Sequence, residues 1–241
     1  MSSKSVIIIP ARIGSTRLKN KPLVDIKGMS LIERVYKNAK SIIDDVFIAT
    51  DSSEIIKHVN TFTDKVIKTD KNHISGTDRV YEAACNLDLP SDTLIINLQG
   101  DEPFMPSKLV KNLINSYESN DCDVITAAHK ISDTSLINNP NCVKAIINKN
   151  SYAKDFLRTI DVNNYNLFYQ HIGIYGYSFD ILKKLVSLKP SVNELERKLE
   201  QLRFIDNNYS IYVLKTNLSI PPGIDTSEDV DAAIKYIENE T

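Results

Sequence analysis

Val6-Ile7-Ile8-Ile9-Pro10-Ala11-Arg12-Ile13-Gly14-Ser15-Thr16-Arg17-Leu18-Lys19-Asn20-Lys21-Pro22-Leu23 decides how the chain folds. Four consecutive β-branched apolar residues, with no polar alternation, make a strand buried on both faces. Pro10 closes the run, and the loop beyond it is polar and basic. Ser30 then opens a helix. Glu33 stands three residues on, as in a capping box, and Leu31, Ile32, Val35, Tyr36, Ala39 and Ile43 form one apolar face. A doubly buried strand followed by an amphipathic helix is the first unit of a parallel sheet covered by helices.

The unit repeats along the first hundred residues. Val46 to Ala49 is a second strand, Ser53 to Val59 a helix, and Lys65 to Lys68 a short third strand. Ser75, with Asp78 at the third position, begins another helix whose Val80, Ala83, Ala84 and Leu87 face inward. Thr93 to Leu98 is a further buried strand. The pattern predicts an α/β fold: a Rossmann-like, mostly parallel sheet with helices on both faces. Ligands of such sheets sit at the carboxyl ends of the strands. Pro10-Ala11-Arg12, Thr50-Asp51 and Gln99-Gly100-Asp101 all fall there.

The second half is less regular. Cys122 to Ala127, Val143 to Ile147, Gln170 to Tyr177 and Ile211 to Leu214 read as strands. Asp180 to Leu188 and Asn193 to Asp206 read as helices. Thr226 caps a last helix with Val230, Ala233, Ile234 and Ile237 on its inner face. Residues 148–168 are polar and aperiodic, and are expected to form a long loop or small extension of a single domain covering 1–241.

The chain has 241 residues, 42% of them hydrophobic and 25% charged, ordinary values for a soluble globular protein. A net charge of −2 argues against nucleic acid as the main partner. The apolar run at Val6 is shorter than the ~7–15 residues of a signal-peptide core, and nothing approaches the ~18 of a membrane span. The expectation is a cytoplasmic protein with no membrane partner. Cys85, Cys122 and Cys142 are odd in number and lack metal spacing, which fits reduced thiols.

Three clusters could carry chemistry. In the first loop Arg12, Arg17, Lys19 and Lys21 offer fixed cations, and Gly14 with Ser15 offers close backbone approach, as a polyphosphate requires. Lys4 adds to this basic crowding. The glycine spacing fits neither a Walker A loop nor a dinucleotide fingerprint, and a solvated basic loop would read the same way. His73-Ile74-Ser75-Gly76-Thr77-Asp78-Arg79 is a helix start, either an anion site or a plain cap. Asp101, just beyond a buried strand in Gln99-Gly100-Asp101-Glu102-Pro103, is placed to hold Mg²⁺, which takes one or two protein carboxylates besides substrate phosphates. Asp225 in Gly223-Ile224-Asp225-Thr226 offers a second carboxylate, or simply begins a helix. His171, in an alternating strand, is a catalytic candidate or a satisfied core residue. His58 and His129 have no motif around them, and no nucleophile arrangement of Ser/His/Asp or Cys/His type is present.

Taken in order, IPARIGSTRLKNKPL, SGTDR after His73, NLQGDEP, NPNCVKAI, HIGIYGY, LEQLR and GIDTSEDV resemble the CMP-Kdo synthetases, the 3-deoxy-manno-octulosonate (Kdo) cytidylyltransferases. The resemblance runs from residue 7 to about residue 230. It implies an α/β nucleotidyltransferase sheet and a homodimer, and an enzyme that activates Kdo with CTP for lipopolysaccharide or capsule synthesis. Arg12 and Lys21 match the residues that hold the CTP phosphates. Pro10, Ala11, Ser75 and Gly76 match the nucleotide pocket, and Asp101 and Asp225 the Mg²⁺ ligands. Arg12, Lys21, Asp101 and Asp225 would thus carry the catalysis. Gln99, Arg79, His171, Tyr175, Glu200 and Gln201 match the sugar side, and Arg158 keeps its place there.

The chain departs from that pattern twice. Leu18-Lys19-Asn20-Lys21-Pro22-Leu23 stands where the family reads close to RLPGKPL, and looks like the sialic-acid cytidylyltransferases. Ala153 to Asp161 stands where the family reads close to ALYFSRAPIP, so that Leu157 replaces a Ser before Arg158 and the prolines are gone. The expectation is that Leu157 tunes the choice of sugar acid; the alternative is that it packs inside a variable loop. The rival functions are activation of another ulosonic acid, amino-Kdo or sialic-acid-like, and a non-catalytic nucleotide-binding homologue. Asp121-Cys122-Asp123 has the letters of a glycosyltransferase metal motif but precedes its strand.

Overall fold

The computed structural model describes residues 5–14, 17–131, 134–160 and 168–240. Lys4, Ser15 and Asp161, all drawn on above, lie outside them. In chain order the first half holds β1 (Ser5–Ala11), the small hairpin β2 (Asp25–Ile26) and β3 (Met29–Ser30), α1 (Leu31–Lys40), β4 (Val46–Thr50), α2 (Ser53–Val59), β5 (Val66–Lys68), α3 (Gly76–Asn86), β6 (Leu94–Leu98) and α4 (Ser107–Ser119). The second half holds β7 (Val124–Lys130), β8 (Lys144–Ile147), β9 (Ala153–Leu157), β10 (Phe168–Ser178), α5 (Phe179–Ser187), α6 (Val192–Arg197), α7 (Gln201–Asp206), β11 (Ile211–Thr216) and α8 (Ser227–Glu240).

The main sheet runs β11-β7-β10-β6-β1-β4-β5, with β8 on β10 and β9 on β8. β1 pairs in parallel with both β4 and β6, β4 with β5, and β7 with β11. β10 alone within that row runs against both of its neighbours. The sheet is thus mostly parallel, as expected.

The β-branched run earns its central place by feeding two cores. Ile7 and Ile9 pack on one face with Leu31, Ile32 and Val35 of α1, Leu109 and Val110 of α4, and Ala233 of α8. Val6 and Ile8 pack on the other with Val80, Ala83 and Ala84 of α3, Leu182 of α5 and Leu202 of α7. Alternate residues of a strand point to opposite faces, so no position in Val6–Ile9 tolerates a polar side chain; all four are at most 1% exposed.

Of the loop or small extension expected over 148–168, residues 153–157 are the extension: β9 pairs antiparallel with β8, with Phe156 fully buried. The helix expected over 193–206 is two helices, α6 and α7, broken at Lys198, whose φ of 54° is left-handed. The helix α4 carries no capping signal in the sequence: its N-cap is Pro106 and makes no side-chain cap.

Candidate active site

The carboxyl ends of β1 and β6 lie side by side, and a cavity of about 450 Å³ opens beyond them. Its walls include Pro10, Ala11, Arg12, Lys21, Ser75, Gly76, Arg79, Gln99, Asp101 and Asp225. All the residues expected for the nucleotide are therefore together. The β1 and β6 ends approach closely at Gly100, where a Cβ would lie 2.8 Å from the Pro10 carbonyl oxygen. Ser75 caps α3 with a reciprocal box: its Oγ accepts from Asp78 N at 3.1 Å, and Asp78 Oδ2 accepts from Ser75 N at 3.1 Å. The cap leaves the start of α3, with its unpaired N–H groups, facing the cavity.

A second cavity, of about 640 Å³, adjoins the first. Arg17, Asp101 and Asp225 line both. The second is completed by Asn139, Asn141, Arg158, Gln170, His171 and the 220–223 segment, among others. Asp101 and Asp225, 124 positions apart, meet because the Ile224 N–H donates to the Asp101 carbonyl at 2.9 Å. Gly223 permits that contact, since a Cβ there would sit 3.0 Å from Glu102 Oε1. Lys21 Nζ then lies between the two carboxylates, 2.6 Å from Asp101 and 2.8 Å from Asp225, and Arg17 pairs with Asp225 at 2.9 Å. Burial lowers the Lys21 pKa, but Asp101 and Asp225 outweigh it and hold the ammonium above its ordinary value. Lys21 is charged at neutral pH.

This arrangement fits a divalent cation. The Lys21 ammonium demonstrates that both carboxylates reach one positive charge. Among the described residues no group of three or more His, Cys, Asp or Glu could hold a metal. Two hard carboxylates are nevertheless what Mg²⁺ takes when phosphates and water complete its shell.

The residues expected for the sugar divide. Arg158 and His171 line the second cavity, whereas Arg79 and Gln99 line the first. The Arg79 side chain is 5% exposed and committed to Asp51 at 2.9 Å and to Thr69, so it braces the ends of β4 and β5. Tyr175, Glu200 and Gln201 line neither cavity. Tyr175 packs at a tilt against His171 with ring centroids 5.4 Å apart, and Glu200 accepts a bond from Thr77 Oγ1 at 2.9 Å over the start of α3. Gln201 is buried at the start of α7. These residues support the walls. Leu157 also lines neither cavity. Its neighbour Phe156 packs edge-on against His171 at 5.1 Å, and consecutive strand residues face opposite ways.

Sequence reasoning missed two contributors. Thr126 is fully buried; its Oγ1 lies 2.8 Å from the Ile174 carbonyl and 3.0 Å from His171 Nε2, at a bulge in the β10–β7 pairing. Bulges re-aim side chains beside active sites, and this one directs His171. Burial pulls the His171 pKa down to about 4, so the ring is neutral at pH 7. Glu102 sits beside the two aspartates. Burial first, then the charges of Asp101 and Asp225, push its carboxyl up to about 8. Arg17, expected among the loop cations for a polyphosphate, also reaches Asp225. No local pattern marks Thr126 or the raised carboxyl of Glu102, because each depends on contacts across the sheet.

A family model described as cytidylyltransferase matches residues 6–213. The 3-deoxy-manno-octulosonate cytidylyltransferase of Thermodesulfovibrio yellowstonii is 40% identical, with 97% of this chain and 98% of that protein aligned. The enzyme of the same name from Fusobacterium nucleatum is 41% identical, with 96% of each aligned. The chain belongs to the 3-deoxy-manno-octulosonate cytidylyltransferase family. Among solved structures, CMP:2-keto-3-deoxy-manno-octonic acid synthetase complexed with CTP superposes with a TM-score of 0.91 at 34% identity, covering 99% of this chain and 100% of that one. The nucleotidyltransferase fold expected from the motifs is therefore that of a family member.

Proposed function

We propose that this cytidylyltransferase moves the cytidylyl group of CTP onto 3-deoxy-manno-octulosonate and releases pyrophosphate. One observation carries the reading: Asp101 and Asp225 stand at the junction of two cavities and line both. A reaction that joins a nucleotide to a second substrate needs its charge-handling groups at such a junction. The names borne by the relatives and by the CTP-complexed structure supply the two substrates.

In this reading the triphosphate lies in the first cavity against Arg12, Lys21 and the start of α3. The sugar acid lies in the second, towards His171 and Arg158. The anomeric hydroxyl oxygen of the sugar attacks the α-phosphorus, a new P–O bond forms, and the bond to the β-phosphate oxygen breaks with pyrophosphate as leaving group. Asp101 and Asp225 would hold Mg²⁺, which when bound neutralises phosphate charge. Lys21 orients the two carboxylates and adds a positive charge beside the phosphates. Neutral His171 offers hydrogen bonding without charge to a polyhydroxylated substrate.

No helix among the described residues is long and apolar enough to cross a membrane. Action in the cytoplasm, as a homodimer, belongs to the same proposal; light scattering at about twice the 27.2 kDa of one chain tests the dimer. The functional test is pyrophosphate release with CTP and a panel of sugar acids, with and without Mg²⁺. Kdo should be turned over best, and chelation should abolish turnover. Preference for an amino-substituted or nine-carbon acid would move the assignment to another ulosonic acid.

A further inference from the structure

Lys144 is wholly buried, at 0% exposure, in β8. Its Nζ donates to the Asn139 carbonyl at 2.8 Å and to the Arg158 carbonyl at 2.9 Å. The Arg158 guanidinium in turn donates to the carbonyls of Arg197 (2.9 Å), Pro140 (3.1 Å) and Lys198 (2.8 Å). The acid of the neighbouring strand, Asp155, is already taken by Arg197 at 2.7 Å. Among the described residues neither Lys144 nor Arg158 has a carboxylate partner.

Buried cations are ordinarily matched by an anion, and a lysine satisfied only by neutral carbonyls leaves its charge uncompensated. Here buried Lys144 stands behind the half-buried Arg158, whose guanidinium is likewise satisfied by carbonyls. Asn139, Asn141 and Arg158 belong to one wall of the second cavity. The same bonds clamp three segments: the 139–142 turn, the end of β9 and the link from α6 to α7.

We infer that Lys144 is a positioning residue for the second cavity: it sets the Asn139–Cys142 turn and Arg158 in place, and with Arg158 makes the field that receives the carboxylate of the sugar acid. The inference rests on the proposed reaction. It assigns the substrate's negative end to the Arg158 side of the cavity, and its hydroxyl end to the junction with Asp101 and Asp225.

The test compares Lys144→Met, which keeps the length and removes the charge, with wild type on Kdo and on its neutral C1 methyl ester, each as substrate or competitive inhibitor. KM for Kdo should rise by about tenfold, the usual scale for losing a charge-assisted contact, with KM for CTP within about twofold. The ester, weaker throughout, should lose less than about threefold. Equal losses on acid and ester, a parallel rise in KM for CTP, or no change at all would overturn the inference. If Lys144→Met does not fold, Lys144→Gln, whose amide still offers two donors, carries the same comparison. A wild-type enzyme inert on CTP and Kdo would instead sink the proposed reaction, so the two failures are distinguishable.

Discussion

Gly100 gives the sharpest structural prediction. A Cβ at this position would lie 2.8 Å from the Pro10 carbonyl oxygen, a backbone atom at the end of β1, and 3.7 Å from Ile9 Cγ2. Its φ is not left-handed, so the need for glycine is spatial. Gly100→Ala must push the β1 and β6 ends apart by about half an ångström to restore ordinary contact. Overpacking costs ~1–3 kcal/mol, offset by ~0.4–1 kcal/mol from the stiffer unfolded chain; the net loss should be about 1–2 kcal/mol. The displaced segments carry Pro10, Ala11, Gln99 and Asp101, so catalysis should suffer as well. A 1 Å misplacement can cost about 10²-fold, so a smaller one should lower kcat/KM for CTP by about tenfold. Gly173→Ala is the control, because its Cβ meets only Gln99 Cγ, at 3.8 Å. Gly176→Ala separates the two effects: its Cβ would lie 2.8 Å from Ile125 Cγ2 in the core, so it should lose stability while KM for CTP stays put. Urea unfolding and initial rates measure both quantities. If Gly100→Ala matches Gly173→Ala in midpoint and in kcat/KM, the close approach of the two strand ends does not shape the site.

Other predictions follow from the junction. Asp101→Asn and Asp225→Asn should each lower turnover by at least about a hundredfold, since each removes a charged oxygen from the proposed Mg²⁺ site with its few protein ligands; rates within threefold of wild type for either would remove that residue from the proposal. Glu102 titrates near 8 in the folded protein against 4.5 ordinarily, so between those values the native state binds the extra proton. Stability from this group is therefore present below 4.5 and lost as pH rises through 8, and Glu102→Gln should exceed wild type by roughly 5 kcal/mol at pH 9 in metal-free buffer; a constant difference from pH 5 to pH 9 would refute the shift. Leu157→Ser should leave the ratio of efficiencies on Kdo and amino-Kdo unchanged, because the side chain lines neither cavity. A changed ratio would restore its expected role in sugar choice.

What could be read from the residues was whatever local chemistry dictates. The unbroken apolar run at Val6–Ile9 announces a central strand, and Ser75 with Asp78 announces a helix start; both hold in the structure. The polar clusters at the strand ends locate the first cavity for the same reason. Direction is another matter: the alternation in β10 marks a strand but not that it runs against β6 and β7. β9 escaped because it is a short edge strand in which adjacent Lys154 and Asp155 break the apolar alternation. The break between α6 and α7 falls at a lysine, which advertises no left-handed turn. The partners of Arg79 at Asp51 and Thr69, the hold of Thr126 on the His171 bulge and the burial of Lys144 all arise between segments far apart in sequence. The resemblance to cytidylyltransferases brought Asp101 and Asp225 together as a pair; spacing alone left each a weak signal.

The most direct test of the account follows the fate of the α-phosphorus. CTP labelled there is incubated with the enzyme, Mg²⁺ and Kdo, and the products are separated. The account predicts that the label moves into a CMP-linked sugar acid, in equal amount to the pyrophosphate released, and that nothing moves when Kdo is left out. Label recovered as free CMP, or no release of pyrophosphate at all, would contradict it.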